Sequence, residues 1–312
     1  MKKLKVVQLA SNPIGGSPYE LNKLLNTYSE VIESRFIVGS PNYRNEELIP
    51  MRKFPTDLVW NKDKEECIKI IKEADIIHCH NTVFLNDLKS YFDNKKSIVL
   101  QLYSVNRRKL KVTGHLQRGL KLADIVVIAD QPWQKEVYKD VSNIYLPLIR
   151  NLFNYNKFVN KTLDIVYAPT NRLPLSHVYS KGYNEVITII NKLKNANFNF
   201  KFTLIEGMDY LLNLYLKSFA DIIIDDVVNE NAFHNTSIEA SYFGAISLTN
   251  YSGEDYPFIK TNLSTLEEKL RYYITNPQEL KKEQDKIIAW QKKYYNAEIL
   301  TKKYEDFYKG IK

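Results

Sequence analysis

The chain has 312 residues, 44% apolar and 26% charged, a length that suits two domains and a composition that supports sizeable buried cores. No apolar run reaches the ~20 residues that span a bilayer, and the run after Met1-Lys2-Lys3 is too short for a signal peptide. Two cysteines, Cys67 and Cys79, exclude a disulfide framework, so a reducing cytoplasm is the simplest compartment.

The net charge of +8 is uneven: residues 1–150 hold 24 Lys and Arg against 17 Asp and Glu, the remainder 20 against 19. A basic first half points to an anionic partner, or else to a Lys- and Asn-rich composition on a solvated surface.

In chain order, short β-branched runs alternate with helical patterns, which predicts parallel sheets covered by helices. Leu4–Ala10 reads as a strand, Ser11–Pro18 as a turn and Tyr19–Tyr28 as a helix. Arg35–Val38 is a short strand, Asp63–Glu73 an amphipathic helix and Ala74–His80 the next strand. Ser97–Leu102 is a strand followed by a basic segment; Ile125–Ala129 is another, and Gln131-Pro132-Trp133 opens a helix. Ile144–Pro147 ends the half. The pattern then restarts, with strands at Leu163–Ala168, Phe200–Glu206, Ile222–Asp225 and Ala245–Leu248. Helices are expected at Tyr183–Leu193, Tyr210–Ser218, Thr236–Tyr242 and Leu266–Tyr273, with a further helical stretch from Gln278 to Tyr308. Residues 1–150 and 151–285 thus form two sequential α/β units joined near Arg150–Lys161, and 286–312 forms a C-terminal helix packing back across them. Its tyrosines, Tyr294, Tyr295, Tyr304 and Tyr308, could alternatively touch a membrane surface.

Open α/β sheets bind ligands at the carboxyl ends of their strands, and three features of the second half gather there. Arg172 follows the strand that ends in Pro169-Thr170-Asn171, and Lys181-Gly182 precedes a helix; a planar guanidinium and a compact ammonium both suit phosphate oxygens. Glu206-Gly207 stands at a strand end, where glycine admits a flat base close to the backbone. Asn235, Thr236 or Ser237 can cap the helix whose free N–H groups bind phosphate. Glu239 lies one turn in, either to accept from ribose hydroxyls or as a capping-box acid three residues after Thr236. The adjacent Asp225 and Asp226 point oppositely at a strand end, which disfavours a shared metal.

The run IVYAPTNR…KG…VITIINKL…FTLIEGM…LYLKSFADIIIDDVV…NTSIEASYFGAISL, from Leu163 to Leu248, resembles the donor domain of the family 4 glycosyltransferases, in particular a bacterial branch. The resemblance implies the GT-B fold: an α/β architecture of two facing Rossmann-like domains with parallel sheets and a cleft between them. It implies a retaining hexosyl transfer from a nucleotide-diphosphate sugar, with no metal and no other cofactor. Arg172 and Lys181 would be the catalytic phosphate-binding pair, and Glu239 would hold the ribose. Where the family carries an earlier glutamate this chain has Asn231, which can hydrogen-bond a sugar hydroxyl but cannot carry charge. The stretch Leu173–Ser180 also lengthens the Arg-to-Lys loop.

In the first half, Gly15-Gly16 after the first strand resembles the family's glycine-rich loop near the donor phosphates; it is not GxGxxG, so a dinucleotide site is not supported. His78 and His80 share one strand face and Cys79 the other; no cluster completes four zinc ligands. His80 and Asn81 are read as lining the cleft with Tyr103 on the acceptor side, where the family often has a histidine that this chain lacks. Arg107, Arg108 and Lys109 follow, and they motivate an anionic acceptor: a lipid-linked glycan or a polymer in glycan or cell-surface polysaccharide synthesis, with peripheral contact at the inner membrane face. A DNA acceptor bearing modified bases is the alternative enzyme reading. A catalytically degenerate sugar-nucleotide-binding subunit is the third, motivated by Asn231 and Gln101. No obligate protein partner is inferred.

Overall fold

The computed structural model describes residues 2–13, 16–40, 55–81, 88–91, 96–103, 114–130, 135, 138, 140–150, 162–169, 181–230, 233–251, 253 and 255–311. The chain divides into two compact units, Met1–Asn151 with Ala297–Lys312, and Leu152–Asn296.

Unit 1 is built on a seven-stranded sheet. Its strands are β1 (Leu4–Ala10), β2 (Ile32–Val38), β3 (Leu58–Val59), β4 (Ile76–His80), β5 (Ser97–Leu102), β6 (Ile125–Ala129) and β7 (Tyr145–Leu146). They lie in the order β3-β2-β1-β4-β5-β6-β7 with every pairing parallel. Among the described residues, helices α1 (Ser17–Tyr28), α2 (Lys64–Glu73) and α3 (Gly114–Leu122) lie between them. A parallel sheet covered on both faces needs strands buried on both faces, and all five residues of β4 are buried. Val7, Leu9, Cys67, Ile71, Ile77, Cys79, Ile98 and Leu100 form a common core. Both cysteines are buried and free, and burial raises their thiols, Cys67 to about 11 and Cys79 to about 12.

Unit 2 carries a five-stranded parallel sheet in the order β12-β11-β10-β8-β9. The strands are β8 (Asp164–Tyr167), β9 (Lys201–Leu204), β10 (Ile222–Ile224), β11 (Ile246–Thr249) and β12 (Ile259–Lys260). Its helices are α4 (Tyr183–Asn195), α5 (Tyr210–Lys217), α6 (Asn235–Tyr242), α7 (Leu266–Thr275) and α8 (Pro277–Tyr294). Ile165, Tyr167, Val186, Ile190, Ile222, Ile224, Leu248 and Leu270 fill the main core.

The helical stretch expected from Gln278 to Tyr308 is two helices. α8 ends at Tyr294 in unit 2, and α9 (Ala297–Ile311) belongs to unit 1. Between them Asn296 spends its side-chain N–H on the Lys292 carbonyl, closing the first helix. α9 packs on α1 and buries Leu300, Tyr304 and Tyr308, spaced four residues apart on one face. Tyr304 and Tyr308 are therefore interior, not a membrane-facing surface; of the four tyrosines only Tyr294 is exposed. Among the described residues no helix is long and apolar enough to cross a membrane.

Two further differences from the sequence reading are β3 and β12, two-residue edge strands too short to leave a pattern. A third is α3, which lies within the basic segment and was not expected as a helix. The opening of the helix expected at Gln131-Pro132-Trp133, and Asn151–Lys161 of the expected linker, fall outside the described residues.

Candidate functional site

In an open parallel sheet the strand order reverses at one point, and loops leaving the two strands on either side diverge to leave a crevice. In unit 2 that point lies between β8 and β10. The residues that follow these strands include charged groups that meet in the interior. The chain from β8 returns at Lys181, and β10 ends directly before Asp225.

Lys181 and Gly182 both adopt left-handed backbone, with φ of 50° and 77°. Such a conformation costs an L-residue about 1–2 kcal/mol and tends to cluster where function over-determines the chain. The Tyr167 hydroxyl donates to the Lys181 carbonyl (3.1 Å), fixing the turn to β8. Gly182 caps α4. A Cβ there would meet Leu263 Cδ2 at 2.9 Å and Val228 Cγ2 at 3.0 Å. Gly182→Ala is therefore expected to destabilise unit 2 by at least about 1–2 kcal/mol from the backbone alone, visible as a lower urea midpoint.

The turn delivers the Lys181 ammonium to Asp225 in a buried ion pair, the two side chains only 4% and 0% exposed. Asp225 also accepts from the His234 N–H (2.8 Å) and the Ser237 hydroxyl (2.7 Å). Ser247 lies 2.7 Å from Ser237 and completes this arrangement. Burial opposes ionisation of Asp225, but Lys181, His234 and these donors outweigh it and hold the carboxyl well below its usual range. One carboxylate thus joins the β8–α4 turn to the first turn of α6. Its neighbour Asp226 accepts instead from the Val228 and Asn229 backbone and the Asn229 side chain, holding the turn after β10.

The start of α6 differs in detail from expectation. The capping position is His234, without a side-chain cap, and Asn235, Thr236 and Ser237 occupy the first three helical positions. Ser237 turns its hydroxyl to Asp225 rather than to the helix backbone. Glu239 is consequently not the third-position acid of a capping box; that position is Ser237's. Glu239 is buried against Lys217, the last residue of α5, at 2.5 Å, and Lys217 also approaches the Thr236 hydroxyl at 3.4 Å. Burial lowers the Lys217 ammonium, with Glu239 opposing it. Lys217 was not singled out in the sequence; 22 positions separate it from Glu239, so no short spacing signals the pair. Glu206 is half-buried and Gly207 exposed with φ 58°, following β9 on the other side of β8.

In unit 1 the order reverses between β1 and β4. Gly16, at φ 86°, caps α1. His80 is fully buried: its Nδ1 lies 2.8 Å from the Tyr103 hydroxyl and its Nε2 2.8 Å from Gln8 Oε1. His80 therefore does not present its ring at the surface as a lining residue would. Tyr103 is buried too, and its hydroxyl donates to Gln101 Oε1 (2.8 Å). Asn81, half-buried at φ 62°, accepts from the Tyr103 N–H (2.7 Å). His78 stacks on His80 at 4.4 Å, with Nδ1 2.6 Å from the Tyr308 hydroxyl. Desolvation drives both imidazoles down, His78 to about 3 and His80 well below its ordinary value. Among the described residues no three metal-ligating side chains gather. Gly15, Arg107, Arg108, Lys109, Arg172 and Asn231 lie outside the described residues.

No family model and no curated protein matches the chain. Among solved structures, an alpha-glucosyltransferase in complex with UDP and a 13-mer DNA containing a central A:G mismatch aligns with a TM-score of 0.67. That match covers 98% of this chain and 99% of the other at 10% identity. HepE of Anabaena, in complex with UDP and glucose, aligns with a TM-score of 0.63 over 98% of this chain and 100% of its own, at 10% identity. A UDP-N-acetylglucosamine 2-epimerase aligns with a TM-score of 0.53, covering 91% of each chain at 13% identity. At such identities the likeness is one of fold: this chain is an α/β protein of the GT-B type, two Rossmann-like units each on a parallel sheet.

Proposed function

We propose that the chain is a retaining glycosyltransferase, moving a hexose-type sugar from a nucleotide-diphosphate sugar to an anionic acceptor in glycan or cell-surface polysaccharide synthesis. The observation that carries the reading is the Lys181–Asp225 arrangement at the strand-order reversal of unit 2. It holds an ammonium beside the first turn of α6, whose N–H groups and dipole favour a phosphate. In this reading Lys181, with Arg172, stabilises the charge that grows on the departing diphosphate. Asn235, Thr236, Gly15 and Gly16 add donors, Glu206 and Gly207 border the base, and Asn231 contacts the sugar. Glu239 accepts from the ribose. No carboxylate base is assigned, because the leaving phosphate can take the acceptor's proton.

UDP in the alpha-glucosyltransferase and HepE complexes makes UDP-sugars the first donors to try. A donor that binds the native state raises Tm by mass action, so a thermal-shift panel of nucleotide sugars is expected to single out one base. Retained anomeric configuration in the product separates transfer from epimerisation, chemistry that the same fold also hosts. Turnover is expected to persist in excess EDTA, since the reading uses no metal. A panel that shifts nothing, or a requirement for a divalent ion, would count against it.

A second reading makes DNA with modified bases the acceptor. It is favoured by the DNA in the alpha-glucosyltransferase complex and by the basic first half. Retention on duplex DNA that falls steeply with salt, and that charge reversal at Arg107, Arg108 and Lys109 abolishes, would select it. Loss of binding to lipid-linked or polymeric acceptors in the same variant would select the first. A nucleotide sugar bound but never hydrolysed or transferred would leave a non-catalytic binding subunit.

A further inference from the structure

Asp225 and Asp226 lie side by side at the end of β10, both fully buried, and a histidine meets them from the next element. His234, at the capping position of α6, sets its Nδ1 3.5 Å from Asp225 Oδ1 and 3.8 Å from Asp226 Oδ2. Its backbone N–H donates to Asp225 Oδ2 at 2.8 Å, which fixes the residue against the strand end. Two lysines stand behind the carboxylates. Lys181 reaches Asp225 from the turn before α4, and Lys217, at the end of α5, faces Asp225 and Glu239. Lys181 and Lys217 are each 4% exposed, whereas His234 is 46% exposed. Of these three basic side chains, His234 is the one that a ligand can touch. Its Nδ1 edge rests on the carboxylates, so the open edge of the ring is the one that carries Nε2.

We propose that His234 is a catalytic residue of the transfer: as an imidazolium, held through Nδ1 by Asp225 and Asp226, it donates through Nε2 to a phosphate oxygen of the bound nucleoside diphosphate. This rests on the donor-site reading given above. Only the cation has a donor on both ring nitrogens. A neutral ring that gave its one N–H to the carboxylates would turn a lone pair toward the phosphate. A diphosphate arriving beside the ring adds negative charge and so favours the imidazolium. Binding therefore draws a proton onto His234. In the transfer, the bond from the anomeric carbon to the leaving phosphate oxygen breaks as the acceptor oxygen bonds that carbon. The acceptor's proton goes to the leaving phosphate, and His234 keeps its own. Its contribution is a positive charge placed where negative charge grows.

The test counts the protons taken up when the full chain binds UDP, GDP or ADP. The count comes from the dependence of the calorimetric enthalpy on the ionisation enthalpy of the buffer, at intervals between about pH 6 and 9, a range that brackets the ordinary imidazole value. His234→Asn and His234→Arg are the comparisons; the nucleotide's own ionisations are common to all three proteins and cancel in the differences. The wild type is expected to take up about half a proton or more beyond either variant at some pH in this range. His234→Asn is expected to bind the diphosphate about tenfold more weakly and to lose about as much in kcat/KM, since it gives up a charge-assisted hydrogen bond. His234→Arg is expected to recover most of the affinity without the uptake. If His234→Asn does not fold, His234→Arg supplies the same proton count. A nucleotide that binds with equal uptake in the wild type and the variants overturns this proposal and leaves the donor site standing; undiminished affinity in His234→Asn does the same. Failure of all three nucleotides to bind overturns both.

Discussion

Lys181→Met is expected to lower sugar transfer by 10²-fold or more while also weakening the fold, and the two losses separate. The rate loss follows from removing a preorganised cation at a leaving diphosphate, which costs on the order of 10²–10³ in turnover. The stability loss follows from burial. Asp225 is 0% exposed, and stripping its cation leaves a buried charge, a change worth about 3–5 kcal/mol where no other partner remains. Here the His234 N–H and the Ser237 hydroxyl stay on the same carboxylate, which puts the expected cost near the lower end. Adding Asp225→Asn to Lys181→Met removes the stranded charge and is expected to restore most of the urea midpoint without restoring transfer. A folded Lys181→Met protein with full turnover would remove Lys181 from the mechanism.

The second large effect is acid lability of unit 1. His78 and His80 are neutral in the fold, with His78 pushed down to about 3 and His80 also well below its usual value. In the unfolded chain both take up protons near pH 6.5. Unfolding then binds protons, so the stability they provide is complete above about 6.5 and drains as pH falls toward 3. For one fully buried imidazole depressed this far the loss is on the order of 4 kcal/mol. Asp225 in unit 2 behaves with a different window: its carboxyl is held low, and its contribution is lost only below the ordinary aspartate range. Hydrogen exchange at pH 7, 5.5 and 4.5 is expected to show β4 peptides losing protection before β10 peptides. His78→Gln should flatten the difference, and equal protection of β4 at pH 7 and 4.5 would contradict the account.

Much of the fold was legible because a parallel sheet writes itself as short apolar runs. Leu4–Ala10, Ser97–Leu102 and Ile125–Ala129 are strands with the bounds their sequences suggest. Alternation likewise placed His78 and His80 on one face. It could not say that Gln8, Gln101, Tyr103 and Tyr308 would cover that face, because Tyr308 arrives from 230 residues away from His78. The same limit governs the candidate donor site. The sequence named Lys181 and Glu239 separately, yet each is held by a partner 44 and 22 positions distant, Asp225 and Lys217. Local rules assign the Ser237 hydroxyl to a helix cap; the strand-end carboxylate of Asp225, 12 positions earlier, takes it instead.

The return of α9 to unit 1 also bears on the order in which the protein is made. Gln8 of β1 bonds the Tyr308 hydroxyl across 300 residues, and Gln101 approaches Tyr304, whose hydroxyl donates to the Pro147 carbonyl at 3.0 Å. Domains usually fold as they emerge during synthesis, the first before the second. Here the contiguous unit 2 has all its elements before α9 is translated, while in the sheet of unit 1 the Gln8 amide and the His78 imidazole still lack the Tyr308 hydroxyl. The half that is synthesised first is the half that finishes last, and a nascent chain halted before Ala297 would expose its polar stripe to whatever chaperone or protease is near.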